Sequence, residues 1–205
     1  MDDSEDLFAQ LKTGTLANHD ATEALAYPEN LQQGTLSADQ YRQLLLANWT
    51  IHRTLETAFA EALADNDSTS DVLADFFEHK SQWLEKDLQQ VHAIRGNTKW
   101  GNVNTLANVA VTYSGIPELI GAMYVVEGSM LGGQVIRRWL LANPNLRDFQ
   151  PFHFYGGHQQ QTGQRWRTFR QLARPLVHRP ADINRAVDAA NATFKLFQTV
   201  YRQQL

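Results

Sequence analysis

Apolar residues recur every three or four positions along nearly the whole chain, which is the period of an amphipathic α-helix rather than of a strand. The pattern predicts helices over residues 4–25, from 37 onward, from 70 or 71 onward, over 117–143, over 162–176 and from 180 onward, with a short helix between 96 and 115. We therefore expect an all-α fold, a bundle of about seven helices in a single domain that spans residues 1–205.

Turn and capping residues set the predicted boundaries. Tyr27-Pro28 ends the first helix, because the residue before a proline is pushed out of the helical region. Ser37-Ala-Asp-Gln40 is typical of a capping box at the start of the second helix. Pro117 suits the first turn of a helix. Residues 149–163 combine aromatic residues with glycines, and this composition predicts a loop.

Composition narrows the classes of function. The chain has 205 residues, a net charge of -4, 20% charged and 43% apolar residues, which is ordinary for a globular protein. The negative charge argues against nucleic acid as a partner. No apolar run approaches the roughly 18 residues that cross a bilayer, and the acidic residues 1–6 do not begin a secretory signal. We expect a cytoplasmic protein that binds neither membrane nor nucleic acid.

Histidines are the candidate metal ligands, since the absence of cysteine excludes disulfides, thiolate nucleophiles and cysteine-ligated iron. His19 and His52 each precede a glutamate by four residues, Glu23 and Glu56, so each pair shares one helix face. The carboxylate can accept a hydrogen bond from one imidazole nitrogen and leave the other free for a metal. A coincidental surface pair explains the spacing as well, and His52 lies in an apolar stripe typical of a core histidine.

Residues 121–136 read as an apolar helix that nevertheless carries Gly128, Gly132 and Gly133. Each glycine costs about 1 kcal/mol relative to alanine inside a helix. Because glycine has no side chain, a ligand can come into van der Waals contact with the helix backbone at these positions, and the helix can bend there. The pattern favours a flat, bulky ligand lying on this helix; close packing of helices over small residues is the alternative.

Both segments resemble those of the heme oxygenases. Leu11, Lys12, His19 and Glu23 match the proximal segment of that family, and Glu127-Gly-Ser-Met-Leu-Gly-Gly-Gln134 matches its distal segment. The run from Tyr155-Gly-Gly to Thr162-Gly-Gln-Arg-Trp-Arg-Thr-Phe169 looks like the bacterial, bacteriophytochrome-associated branch. The order and separation of the segments agree too, so the resemblance covers most of the chain.

The resemblance implies roles for the proximal residues. His19 would be the axial ligand of heme iron, and Glu23 would accept a hydrogen bond from its other nitrogen. Lys12, Arg167 and Arg170 would pair with the heme propionates, although only some of the arginines in that short helix, which also holds Arg165, can face the pocket.

The resemblance also implies roles for the distal residues. Gly128, Gly132 and Gly133 would let the helix lie close over iron-bound oxygen. Ser129 stands where many members carry an aspartate that orders the water supplying protons. The bacteriophytochrome-associated branch has the same Glu-Gly-Ser sequence, so serine in place of aspartate indicates membership of that subfamily.

The implied function is oxidative cleavage of heme, as substrate and cofactor at once, to biliverdin, carbon monoxide and ferrous iron. O2 and electrons from a ferredoxin or another reductase would be consumed, and a bacteriophytochrome would be a possible acceptor of the bilin. A non-enzymatic heme- or bilin-binding protein is the first alternative. A non-heme di-iron oxidase is a weaker one, because such bundles use Glu-x-x-His pairs and this chain has none.

Overall fold

The computed structural model describes residues 6–64, 73, 76–77, 79–96 and 111–205, and within these ranges the chain forms helices and no strand. The all-α prediction is confirmed. The α-helices are α1 (Leu7–Glu23), α2 (Pro28–Gln33), α3 (Ala38–Ala64), α4 (Lys80–Arg95), α5 (Ile116–Ala142), α6 (His153–Gly156), α7 (Thr162–Leu176) and α8 (Pro180–Gln204). Two 3-10 helices, Pro144–Phe149 and Gln159–Gln161, flank α6.

Several predicted boundaries are confirmed by their local hydrogen bonds and dihedral angles. The capping box forms, since the Ser37 N–H donates to Gln40 Oε1 (2.9 Å) and the Gln40 N–H donates to Ser37 Oγ (3.2 Å). Tyr27 adopts a left-handed conformation (φ 54°) that separates α1 from α2. Pro117 and Pro180 both lie in the first turn of their helices.

The third predicted helix falls partly outside the described residues. Its expected start at residue 70 or 71 lies there, while Leu73 is helical, Phe76 lies in a 3-10 turn and α4 begins at Lys80. A tertiary contact supports the first turn of α4, since Glu56 on α3 accepts hydrogen bonds from the Ser81 N–H (2.9 Å) and the Ser81 hydroxyl (2.6 Å). A carboxylate at this place satisfies free N–H groups of a first helical turn. The short helix expected between 96 and 115 falls mostly on residues 97–110, outside the described part.

The loop predicted over residues 149–163 is partly helical. Asp87 on α4 accepts hydrogen bonds from the backbone N–H groups of His153 (2.7 Å) and Phe154 (2.9 Å), which begin α6. The buried carboxylate therefore takes up two N–H groups that a short helix leaves free. Sequence periodicity misses such a helix because a four-residue element has no room for a repeat.

α5 is the one helix in the described part of the chain that is long and apolar enough to qualify as a membrane span, by length and composition alone. However, 56% of its most apolar window is buried inside the protein. A buried core helix passes the same test, so this is weak evidence for a membrane span.

α8 is the helix against which both α1 and α5 pack. Gly121 of α5 lies so close to α8 that a Cβ there would overlap the backbone carbonyl of Ala186. On the other helix, a Cβ at Gly14 would lie 2.7 Å from Val187 Cγ1. These close approaches set the placement of α1 and α5 relative to each other, since both helices share one partner.

We expect Gly121→Ala to destabilise the protein by about 1–3 kcal/mol, because the added methyl group collides with backbone that cannot move aside. Gly132→Ala in the same helix is the matched control, since a Cβ there meets no described atom within 4 Å. The control should be neutral or stabilising by up to about 1 kcal/mol. Urea unfolding measures both. Equal stabilities would show that α5 and α8 can separate without cost.

His52 of α3 is a core histidine, 2% exposed and packed against the rings of Phe154 (5.2 Å between centroids) and Phe197 (6.3 Å). Its Nε2 has no hydrogen-bond partner among the described residues. Burial, and secondarily the charge of Lys80, lowers the pKa of His52 to about 3. The Glu56 carboxylate, four residues on, bonds Ser81 instead. The His52–Glu56 metal pair is therefore not formed.

This depressed pKa predicts how the free energy of unfolding changes with pH. Between about pH 6.5 and 3 the unfolded chain binds a proton at His52 that the folded protein does not, so wild-type stability falls as pH falls. His52→Leu removes this contribution. Between pH 7 and pH 5 the variant should gain about 2 kcal/mol relative to wild type. Urea unfolding at both values measures it, with His178→Leu, an exposed position, as control. A pH-independent difference for His52→Leu would contradict the burial.

Candidate active site

One face of α1 is exposed and carries the candidate ligand. Lys12, Leu16, His19 and Glu23 recur at helical spacing along this face, and all four are exposed. Leu16 is 54% exposed, the highest value among the exposed large apolar residues of the described part. The adjacent face is anchored in the core by Leu7, Phe8, Leu11, Thr15 and Thr22. α1 thus presents an imidazole, an ammonium group and an apolar side chain on its outer side.

The His19 ring lies between two carboxylates. Nε2 is 3.4 Å from Glu23 Oε1, and Nδ1 is 3.2 Å from Asp20 Oδ1. The ring edge also contacts Phe194 of α8, with 5.9 Å between centroids. Since Asp20 and Glu23 are 67% and 70% exposed, each contact is weak. One nitrogen can therefore leave its carboxylate for a metal at little cost, while the other keeps its partner.

Gly128 and Gly132 leave the backbone of α5 open on one face. A Cβ at Gly132 would meet no described atom within 4 Å, and one at Gly128 would meet only the Trp166 ring, at 3.8 Å. Gly133 is different, because it is buried and a Cβ there would contact Tyr155. The close-packing alternative thus describes Gly133, while Gly132 borders open space where a flat ligand can approach the backbone.

Ser129 lies on the exposed side of α5, next to Gly128. Its hydroxyl donates to the Val126 carbonyl oxygen at 2.8 Å, a bond within its own helix. The oxygen still has lone pairs that can accept a hydrogen bond. Ser129 can therefore hold a donor such as a water molecule over the helix without giving up its own bond.

α1 and α5 meet in an aromatic cluster. Phe8 of α1 lies 6.2 Å from the Tyr124 ring of α5, and Trp166 of α7 lies 5.9 Å from Phe8 and 5.7 Å from Tyr124. Burial raises the pKa of Tyr124 above its usual range. Thr15 precedes His19 by one helical turn, and Tyr124 precedes Gly128 by one turn. The two candidate segments therefore continue from a common point of contact.

The arginines of α7 have separate surroundings. Arg167 is exposed and donates to Gln164 Oε1 at 2.8 Å within its own helix. The Arg170 guanidinium lies 4.9 Å from the Phe8 ring centroid, where α1 and α7 pack. Its buried Nε has no hydrogen-bond partner among the described residues. Arg165 turns to the Glu127 carboxylate instead. Arg170 is thus the better placed of the two predicted arginines to meet an acidic group near α1.

These groups fit a porphyrin. A heme is a flat apolar ring with an iron at its centre and acidic groups at its edge, so a site for it needs an imidazole, an open helix face, apolar side chains and cations. The imidazole is His19 and the open helix face is at Gly132. Leu16 is the apolar side chain, and the cations are Lys12 and Arg170. In the described part of the chain, no group of three or more His, Asp or Glu side chains is arranged so that it could hold a metal ion by itself.

Sequence reasoning missed two neighbours of the candidate site. Trp166 covers Gly128, although the residue stands inside the run quoted for the resemblance and a large aromatic between two arginines was a usable signal. Asp20 contacts the second nitrogen of His19. Adjacent residues on a helix do not normally face each other, so the spacing offered no signal for Asp20.

Comparisons with known proteins agree on one family. The heme oxygenase family model matches residues 5–203. A heme oxygenase from Leptospira interrogans superimposes with a TM-score of 0.74 at 16% identity, covering 97% of this chain and 99% of that one. The NO- and CO-bound heme oxygenase from Neisseria meningitidis gives 0.67 at 19% identity, covering 97% and 92%.

A third solved structure is heme oxygenase-1 from the cyanobacterium Synechocystis, in complex with heme. It superimposes with a TM-score of 0.66 at 21% identity, covering 97% of this chain and 91% of that one. No curated protein matches the chain at a significant level. At these identities the structures show the fold, and the match to the family model covers nearly the whole sequence. The chain therefore belongs to the heme oxygenase family.

Proposed function

We propose that this protein binds heme between α1 and α5 and cleaves it to biliverdin, carbon monoxide and ferrous iron. The observation that carries the proposal is the pairing of an exposed imidazole on α1 with an open glycine backbone on α5, in helices that meet at Tyr124. Bound heme would supply the iron that activates O2 and the porphyrin that is oxidised. The protein's own part is to bind, orient and provide protons.

His19 would hold the iron from the α1 side. A carboxylate on the second imidazole nitrogen orients the ring and raises its basicity as a ligand. Glu23 and Asp20 are both within 3.4 Å of a ring nitrogen, so either of them can take this role once the other nitrogen binds iron. The Phe194 ring limits rotation of the imidazole on its buried side.

Lys12 and Arg170 would pair with the propionates. Lys12 lies two turns before His19 on the same exposed face of α1, and Arg170 approaches α1 from α7 with an unused Nε–H. Two cations near one edge of the ring would orient the heme in its plane. Arg167 is the outermost of the predicted cations and would contribute mainly to the field around the pocket entrance.

The bare face of α5 would limit the space on the side of the heme opposite His19. Gly128 and Gly132 would let a flat ring approach the backbone of α5, and the helix would then leave little space between itself and the ring. Gly133 completes the segment on its buried side. Ser129 would hold the water that delivers protons, since its hydroxyl oxygen can still accept a hydrogen bond.

The reaction needs electrons that the chain does not hold, so we propose a ferredoxin or another reductase as donor. A bacteriophytochrome is the proposed acceptor of the bilin, on the strength of the Glu-Gly-Ser form of the distal segment. We propose a cytoplasmic location without nucleic-acid or membrane partners. The protein's net charge of -4 supports the proposal that it does not bind nucleic acid.

Single-turnover absorbance tests the function. Hemin added to the protein should give a Soret band, and a ferredoxin system or ascorbate with O2 should replace this band with a red bilin absorbance. Extracted pigment identifies the product as biliverdin. A stable ferrous spectrum without pigment would assign the protein as a heme carrier, and the absence of a Soret band would refute heme binding.

His19→Ala should abolish the histidine-ligated spectrum and reduce turnover by more than about 100-fold. The loss should be this large because removing a residue that only hydrogen-bonds a metal ligand already lowers activity by about 10- to 100-fold. Helicity by circular dichroism should be unchanged, since the side chain is exposed. His178→Ala, at an exposed histidine between α7 and α8, is the matched control and should behave as wild type. Ligation that survives in His19→Ala would move the iron ligand elsewhere.

A further inference from the structure

Glu127 is buried in an otherwise apolar stretch of α5, directly before Gly128, with 3% of its surface exposed. Its Oε1 accepts a hydrogen bond from Lys80 Nζ at 2.7 Å, and its Oε2 accepts one from Arg165 Nε at 2.9 Å. Lys80 is 1% exposed and begins α4; Arg165 lies in α7. One carboxylate therefore joins three helices by charge-assisted hydrogen bonds.

Such a network does not stabilise a fold efficiently. Removing charges from water costs about as much as their attraction returns, and apolar residues of the same size often stabilise a core as well or better. The network instead fixes the relative positions of the three helices, since charge-assisted hydrogen bonds tolerate little change in distance or angle. Its role is therefore to be sought in what it holds in place.

The network holds the open face of α5. Gly128 and Gly132 have no side chains with which to interlock with a neighbour, so packing on that face cannot set the position of the helix. Glu127 fixes the same turn from the buried side. Arg165 is followed directly by Trp166, whose ring a Cβ at Gly128 would meet at 3.8 Å. One carboxylate thus positions both the glycine backbone and the ring beside it.

The other end of the network is itself anchored. Lys80 is followed by Ser81, whose N–H and hydroxyl both donate to the Glu56 carboxylate of α3. Glu56 has only 10% of its side chain exposed, so this anchor is largely shielded from water. The chain of contacts runs from α3 through α4 to the glycine turn of α5.

We propose that Glu127 is a positioning residue, which through Lys80 and Arg165 holds the Gly128 turn and Trp166 at the separation that a ligand on α5 requires. The proposal rests on the proposed heme chemistry for its catalytic consequence. Its structural core, the restraint of residues 128–133, does not depend on which ligand binds.

The test compares Glu127→Gln with Glu118→Gln. Both substitutions remove one paired carboxylate from α5 with little change in side-chain volume. Glu118 pairs with Arg185 in the first turn of the helix, away from the turn that holds Gly128 and Gly132.

In Glu127→Gln, amide hydrogen exchange of residues 128–133 should accelerate by at least about tenfold. Single-turnover cleavage of hemin should slow by about 10- to 100-fold, as displacements of about 1 Å do. The hemin dissociation constant should change much less than the rate of cleavage, because Glu127 is buried and does not line the open face of α5. Glu118→Gln should change none of the three.

Glu127→Gln removes the carboxylate that pairs with Lys80 and Arg165, and the single variant could therefore fail to fold. A double variant keeps the proposal testable in that case. Lys80→Met combined with Glu127→Gln removes one of these cations, and it should fold, keep fast exchange at residues 128–133 and remain slow in turnover. Wild-type turnover in a folded double variant, or exchange no faster than in Glu118→Gln, overturns the proposal. Failure of the wild type to cleave hemin would refute the proposed function instead, while the exchange measurement would still decide whether Glu127 restrains the helix.

Discussion

The packing of α1 and α5 on α8 is the constraint on which the rest of the structure depends. Gly121 lets α5 approach the backbone at Ala186, and Gly14 lets α1 approach Val187. Both candidate segments are therefore held by the same helix, and these two close contacts set the separation of α1 and α5 together with the aromatic contact of Phe8 and Tyr124. Interiors are close-packed, so such contacts transmit position with little slack.

α5 uses glycine in two opposite ways. At Gly121 the missing side chain makes room for another helix, and at Gly132 it leaves space in which no described residue lies. The buried side of the same helix carries Glu127, whose ion pairs hold the turn that the glycines leave unsupported. A helix that must stay bare on one face needs directional contacts on the other, and charge-assisted hydrogen bonds provide them.

His19 and His52 show how far a short motif can be trusted. Both precede a glutamate by four residues, yet His19 is exposed beside Glu23, and His52 is buried while Glu56 bonds Ser81. The spacing determines that two side chains share a helix face. Whether that face meets solvent, a ligand or the core depends on the helices packed around it, which the motif does not contain.

The sequence by itself determined what depends on neighbours in the chain: the helical period, the capping box at Ser37, the helix starts at Pro117 and Pro180, and the motifs that identify the family at 16–21% identity to solved structures. Only the tertiary structure decided which carboxylate supports the first turn of α4, the helix at His153, and the partners of Glu127. These depend on Glu56, Asp87 and Lys80, which lie 25 to 66 residues away. Local sequence sets which conformations cost least, but a buried charge is satisfied only by whatever the fold brings to it.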